Sequence, residues 1–110
     1  MKAGEQIIYN KLKTPVQEKR LVSFMYTDTS GKEDFKQVEP FQVGIHKTTG
    51  NAILSAWYIP KNNKEKAGWR IYLLSAITNV TAYMTTFGDR PGYEPDSNQT
   101  MKEILVSTGS

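Results

Sequence analysis

NAILSAWYI at Asn51–Ile59 and GWRIYLL at Gly68–Leu74 are the two stretches that decide the fold of this 110-residue chain. The first is an almost unbroken run of apolar and aromatic residues, which is typical of a strand that is covered on both faces. The second alternates around Arg70, and a lysine-rich connection, Pro60–Ala67, joins the two. This pattern predicts a β-hairpin at the centre of a small barrel or sandwich.

Three further strands are predicted around this hairpin. They span Arg20–Thr27, Asp34–Ile45 and Ile77–Thr86, which are rich in β-branched and aromatic residues. The second of them contains Glu39-Pro40. Because proline cannot donate a hydrogen bond to a neighbouring strand, we expect a bulge, a sharp bend or an edge position there.

A short helix is predicted at each end of the chain. The first, over Met1–Lys13, should end at Thr14-Pro15, because the residue before a proline disfavours helical angles. Asp96 or Ser97 is expected to cap the second, which would end at Leu105, and Thr100 with Glu103 is the alternative capping box.

The predicted fold class is therefore mainly β: a small five-stranded barrel of the SH3/Sm kind with short N- and C-terminal helices, with a small sandwich as the alternative. We divide the chain into an N-terminal helix and lead-in (residues 1–17), the barrel (18–90) and a C-terminal coil with a short helix (91–110). The length fits one domain.

Composition narrows the function classes. The chain has no cysteine, which excludes disulfides, thiolate metal sites and a cysteine nucleophile. The sequence contains no apolar run of membrane-spanning or signal-peptide length, so we expect a cytoplasmic protein with no membrane partner. The net charge is +3, and basic residues outnumber acidic ones by five to two in residues 1–20 and by four to one in residues 61–70. Such clusters can steer an anionic partner.

Catalytic signatures are missing from the sequence. His46 is the only histidine, which excludes a multi-histidine metal site. The carboxylates of Asp28, Glu33, Asp34 and Glu39 flank one predicted hairpin, where they are expected to form a solvated edge. No phosphate-cradling loop, nucleophile elbow or metal-ligand spacing is present. We therefore expect neither an enzyme nor a cofactor.

Anion binding is better supported by the residues. If Trp69, Ile71 and Leu73 face the core, Arg70 and Tyr72 share the opposite face, from which Arg70 could bind a phosphate or stack on a base. Core filling remains the alternative for the aromatic residues, a salt bridge for Arg70, and a solvated loop for the lysines. The candidate ligand-binding residues are Arg20, Tyr26, His46, Trp57, Lys61, Lys64, Lys66, Arg70 and Tyr72.

Four segments carry a resemblance to a known family. They are KRLVSFMY at Lys19–Tyr26, VEPFQVG at Val38–Gly44, GNAILSAW at Gly50–Trp57 and WRIYLLSAI at Trp69–Ile77. Together they resemble the WYL-domain family, and the likeness covers roughly residues 18–90. The tail at Arg90–Met101 is similar to that of short, stand-alone members.

The family's motif residues are only partly present. Aligned by distance from Arg70, which matches the family's arginine before an aromatic residue, the eponymous tripeptide falls on Ala52-Ile53-Leu54 and keeps only its leucine. Trp57-Tyr58-Ile59 resembles it by letter alone. The family's second arginine falls on Ala76.

The resemblance implies an Sm-like barrel that senses a ligand or binds nucleic acid, as in bacterial transcription regulators and proteins linked to phage defence. It implies no catalysis, and the winged-helix DNA-reading domain of larger relatives is not expected here. The predicted function is a non-catalytic regulatory module that binds single-stranded nucleic acid or a nucleotide-like anion. The alternative is a protein-interaction module, acting on a host or phage-defence complex or as a homo-oligomer.

Overall fold

The computed structural model describes residues 1–91 and 100–108, which form one helix and six strands. The helix α1 spans Ala3–Glu18. The strands are β1 (Arg20–Thr27), β2 (Glu33–His46), β3 (Ala52–Ile59), β4 (Gly68–Leu73), β5 (Ile77–Thr86) and β6 (Met101–Ser107), and a 3₁₀ turn (Leu74–Ala76) links β4 to β5. All strand pairs are antiparallel, in the order β4-β3-β2-β1-β5, and β6 pairs with β2.

The long strand β2 organises the sheet. Its first half pairs with β1, its second half pairs with β6, and β3 runs along its other edge. The pairing with β3 shifts between Pro40 and Gln42, which leaves Phe41 as the extra residue. The bulge predicted at Glu39-Pro40 is therefore confirmed. The bulge divides β2 into one half that pairs with β1 and one half that pairs with β6.

The mainly β class is confirmed, but the prediction of five strands with a C-terminal helix is wrong. Met101–Ser107 is a sixth strand, not a helix, and Val106 in it is buried. Asp96 and Ser97, the predicted caps, lie outside the described residues. Within the described ranges no strand pairing joins β4 to β5, so a closed barrel is not confirmed.

The N-terminal helix runs past its predicted end. It continues through Pro15 to Glu18, with Pro15 and Val16 buried, and ends where Lys19 adopts a left-handed conformation (φ 54°). Proline inside a helix removes one backbone hydrogen bond. Here the apolar burial of this last turn against the sheet offsets that loss, because Val16 is fully buried in the core.

Two apolar groups lie on the two faces of the sheet. The main core packs α1 against one face and includes Leu12, Phe24, Leu54 and Tyr72. On the other face an outer aromatic cluster forms, in which Phe41 meets Trp69 and Phe87 at ring-centroid distances of 4.9 and 5.0 Å, and Trp57 meets Trp69 at 5.5 Å. The β3–β4 hairpin is therefore held from both sides. In the described part of the chain, no helix is long and apolar enough to cross a bilayer.

Candidate anion-binding pocket

An open pocket of about 500 Å³ lies where the β1–β2 hairpin faces the β3–β4 hairpin. We call it the Arg70 pocket. Its lining consists of Tyr26, Asp28, Lys32, Asp34 and Lys36 on the first hairpin and of Tyr58, Glu65, Lys66, Arg70, Ile71 and Tyr72 on the second. A volume of this size falls within the usual range of small-molecule sites, roughly 300–1,000 Å³.

The guanidinium of Arg70 is held by backbone groups. Its Nη1 donates to the carbonyl of Trp69 at 3.0 Å and its Nη2 to that of Lys66 at 3.1 Å, while its Cζ lies 5.7 Å from the ring centroid of Tyr58. The side chain folds back over Gly68, where a Cβ would lie 2.8 Å from Nη1. A glycine at position 68 therefore leaves room for the guanidinium in this position.

Arg70 takes part in none of the ion pairs found among residues 1–91 and 100–108. The carboxylate of Glu39, one possible partner, is bound by Arg90 instead. A guanidinium carries five N–H donors, and two are used here, so three remain for a ligand. Arg70 is thus oriented without being neutralised.

Aromatic side chains form the floor of the pocket. Tyr26 and Tyr72 meet edge to face at 5.0 Å, and Phe24 packs against Tyr72 at 5.2 Å. The Tyr26 hydroxyl accepts a hydrogen bond from the backbone N–H of Leu73 at 3.0 Å. Burial raises the pKa of Tyr72 well above its usual value, and the nearby charge of Arg70 acts in the opposite direction. The floor is therefore largely aromatic, and the hydroxyl of Tyr72 stays neutral at neutral pH.

The face assignment predicted for β4 is wrong in part. Ile71, expected in the core, is 47% exposed, whereas Tyr72, expected on the opposite face, is only 4% exposed. Arg70 and Tyr72 do line the same pocket, as strand alternation requires. Their shared face is the core face, which is closed at Tyr72 and opens to solvent at Arg70.

A hydrogen-bonded network joins the two hairpins at the rim. Glu65 accepts from the Tyr58 hydroxyl at 2.7 Å and from the backbone N–H of Lys61 at 3.1 Å. Asp34 pairs with the ammonium groups of Lys61 at 2.7 Å and Lys36 at 3.3 Å. The hydrogen bond from Lys61 lowers the pKa of Asp34, and that from Tyr58 lowers the pKa of Glu65. Both carboxylates are therefore charged at neutral pH.

Tyr58 is expected to contribute, together with Tyr72, to the loss of stability at alkaline pH. Burial, with a smaller contribution from the Glu65 carboxylate, raises its pKa to about 12, whereas an unfolded tyrosine titrates at about 10. Because the folded state holds the proton more tightly, this contribution to stability is full below about pH 10 and is lost as the pH rises through about 12. Thermal unfolding between these pH values should therefore show a smaller loss of Tm for Tyr58→Phe than for the wild type. An equal loss in both proteins would contradict the assignment.

The predicted ligand residues separate into two groups. Tyr26, Lys66, Arg70 and Tyr72 line the pocket, and Lys61 lies at its rim through Asp34. The remaining four do not line it: Arg20, His46, Trp57 and Lys64.

Three of these four have structural partners instead. Arg20 donates from Nε to the carbonyl of Tyr83 at 2.9 Å, along the β1–β5 pair. The Nδ1 of His46 accepts from the N–H groups of Thr48 and Thr49 in the β2–β3 turn. Trp57 belongs to the outer aromatic cluster. The structure thus brings five of the nine predicted residues together in one pocket and at its rim, and places the other four away from it.

Sequence reasoning missed most of the opposite wall. Asp34 and Lys36 were interpreted as a solvated edge or left aside, yet they line the pocket. Tyr58 was not among the candidate residues, and nothing in the local sequence indicates the Tyr58–Glu65 hydrogen bond. Among the described residues, no group of three or more His, Asp or Glu side chains could hold a metal ion.

No family model matches the chain. One solved structure with a similar fold is the proteasome accessory factor B/C (PafBC) of Arthrobacter aurescens, with a TM-score of 0.64 at 19% sequence identity. The match covers 80% of this chain but only 13% of that protein. At this identity the likeness shows a shared fold, and the chain corresponds to a small part of the larger protein.

Proposed function

We propose that this chain is a WYL-like, non-catalytic regulatory module of the cytoplasm that binds an anionic ligand, single-stranded nucleic acid or a nucleotide, in the Arg70 pocket. The observation that carries the proposal is the guanidinium of Arg70, which is fixed by two backbone carbonyls and keeps three N–H donors. The fold shared with part of a proteasome accessory factor supports a regulatory role. The residue resemblance to WYL domains, which retains Arg70, supports a ligand-binding one.

The chemistry of the pocket suits a phosphate. A guanidinium presents its N–H groups in a planar fork that matches phosphate oxygens. Lys66, on the same hairpin, adds a flexible charge. Since Ala76 stands where the family has a second arginine, Arg70 supplies the main contact, and its removal should have a large effect.

Arg70→Ala is expected to weaken binding of an anionic ligand by at least about tenfold, because a charge-assisted hydrogen bond contributes on the order of 1.5–3 kcal/mol. Fluorescence anisotropy with labelled oligonucleotides and nucleotides, at two salt concentrations, measures the effect. Lys47→Ala is the control, because Lys47 is exposed in the β2–β3 turn and does not line the pocket. Binding that is absent at low salt, or equal in wild type and Arg70→Ala, would overturn the proposal.

A protein-interaction module is the second candidate. Within the described residues β5 pairs only with β1, and it carries Met84 with 84% of its surface exposed. An unpaired strand edge beside an exposed apolar side chain can accept a strand from a partner protein or from a second copy. A pull-down that survives nuclease treatment, and is lost in Met84→Lys, would favour this function. A mass measurement in solution would identify self-association.

A further inference from the structure

The charges of the Arg70 pocket are mixed in sign. Its lining carries four basic side chains (Lys32, Lys36, Lys66 and Arg70) and three acidic ones (Asp28, Asp34 and Glu65). The net charge is therefore one positive unit. A groove that follows a polynucleotide backbone is instead positively charged along its length.

The acidic groups are fixed in place and stay ionised. The Asp28 carboxylate accepts from the Ser30 hydroxyl at 2.6 Å and from the backbone N–H of Lys32 at 3.0 Å, and these bonds lower its pKa. Asp34 and Glu65 are held by the rim network described above. Phosphates on either side of the one at Arg70 would thus face carboxylates that these hydrogen bonds and ion pairs hold at the pocket.

Most of the positive charge that remains available lies on one hairpin. Lys36 is committed to Asp34 at 3.3 Å, whereas Lys32, Lys66 and Arg70 join no ion pair within the described ranges. Lys66 and Arg70 both belong to the β3–β4 hairpin, and Lys32 lies across the pocket on the β1–β2 hairpin. The β3–β4 wall therefore offers donors for one anionic group, and the half-buried ring of Tyr26 in the floor offers an apolar surface for a flat ring.

We propose that the ligand is a compact phosphomonoester with an aromatic ring, of the size of a mononucleotide, and not a nucleic-acid strand. The inference rests on the proposed function of the Arg70 pocket and names its ligand class. The terminal phosphate takes the three free donors of Arg70 and the charge of Lys66. The ring packs against Tyr26 in the floor of the pocket, and its amino groups donate to the carboxylates of Asp28 and Asp34.

Gly68 provides a second test of the same geometry. A Cβ at this position would lie 2.8 Å from the Nη1 of Arg70. Gly68→Ala therefore displaces the guanidinium from the position that the two backbone carbonyls hold, without removing its charge. The displaced group is the end of a flexible side chain, and the fold should tolerate the change. Gly68→Ala is therefore expected to act on ligand affinity at nearly constant Tm.

Calorimetric titration with the four nucleoside monophosphates, their nucleosides and a ten-nucleotide mixed single strand tests the inference. We expect at least one monophosphate to bind, its nucleoside to bind at least about tenfold more weakly, and the strand to bind no more tightly than the monophosphate. Arg70→Ala and Gly68→Ala should each lose about tenfold, and Lys47→Ala should match the wild type.

The outcomes separate the two proposals. A strand that binds more than tenfold tighter than every monophosphate, with steep salt dependence and a loss in Arg70→Ala, would overturn the mononucleotide class and leave the proposed function standing. If no probe binds, both are overturned. A monophosphate that binds equally well to Arg70→Ala would place the site elsewhere and also overturn both.

Discussion

Gly44→Ala is expected to displace β6 from the sheet and to lower the free energy of unfolding by about 3 kcal/mol, the upper end of typical overpacking costs. A Cβ at position 44 would overlap the backbone carbonyl oxygen of Glu103 and the Sδ of Met101. Gly44 is paired directly with Ile104, so the strand backbone itself has to move. Chemical denaturation measures the loss, and hydrogen exchange along Met101–Ser107 should show lost protection.

Gly88→Ala is the matched control. A Cβ at Gly88 meets no atom within 4 Å, so this variant should stay within about 0.5 kcal/mol of the wild type. If Gly44→Ala unfolds at the same denaturant concentration as Gly88→Ala, the close approach of β6 to β2 is wrong.

The Gly44 variant also separates the pocket from the C-terminal strand. β6 pairs with residues 42–46 of β2, whereas the pocket uses Asp34 and Lys36 near the other end of that strand. The bulge at Phe41 lies between the two halves. Ligand binding should therefore persist in Gly44→Ala, under conditions where the protein remains folded.

Local sequence patterns were sufficient for five of the six strands. β1 and β5 begin and end where predicted. The observed bounds of β2, β3 and β4 differ from the predicted ones by one residue, at both ends of β2 and at one end each of β3 and β4. The bulge at Glu39-Pro40 was also accessible, because a missing N–H donor is a property of the residue itself. These features depend on neighbours in sequence, so a single sequence reveals them.

β6 was missed because its environment is distant in sequence. Thr100 and Glu103 have capping-box spacing, and lysine, glutamate and leucine favour helices, so local propensity indicates a helix. The unpaired edge of β2 at residues 42–46 offers hydrogen bonds that a helix could not use. Tertiary pairing therefore overrides the local preference.

Only one wall of the candidate site could be predicted, because the other wall also depends on pairing between strands that are distant in sequence. Arg70 stood out because a charge interrupts an apolar strand, and Lys66 followed from the basic loop. Asp34 and Lys36 come to the pocket only through the pairing of β2 with β1 and β3, which the sequence does not display. Ile71 was assigned to the core from the alternation around Arg70, but β4 is an edge strand whose outer face is not fully covered, and Ile71 is 47% exposed there.

Arg90→Met alone is expected to destabilise the protein more than Arg90→Met combined with Glu39→Gln. Arg90 donates to the two oxygens of Glu39 at 2.6 and 2.8 Å, and the side chain of Glu39 is only 7% exposed. Removing the arginine leaves a buried carboxylate without its charge partner, which typically costs about 3–5 kcal/mol. Because the Arg90 side chain is 37% exposed and water can reach the site, we expect a loss of about 2 kcal/mol.

A double-mutant cycle measures the interaction between the two side chains. The neutral amide of Glu39→Gln needs no counter-charge, so the coupling energy should exceed about 1 kcal/mol. Lys19 and Asp89 form the control pair at 2.8 Å, with 33% and 88% of their side chains exposed. Lys19→Met with Asp89→Asn should give a coupling below about 0.5 kcal/mol, as for other surface pairs.

The Arg90 variant should also weaken ligand binding, because the pair supports the hairpin that carries the pocket. The Cζ of Arg90 lies 4.8 Å from the ring centroid of Trp57, which packs on Trp69, the residue before Arg70. Losing this contact loosens the outer face of the β3–β4 hairpin, so tryptophan fluorescence should shift to the red and affinity should fall in Arg90→Met. If the two single variants and the double variant unfold alike, the Glu39–Arg90 pair does not hold this face, and the pocket must be ordered by the main core alone.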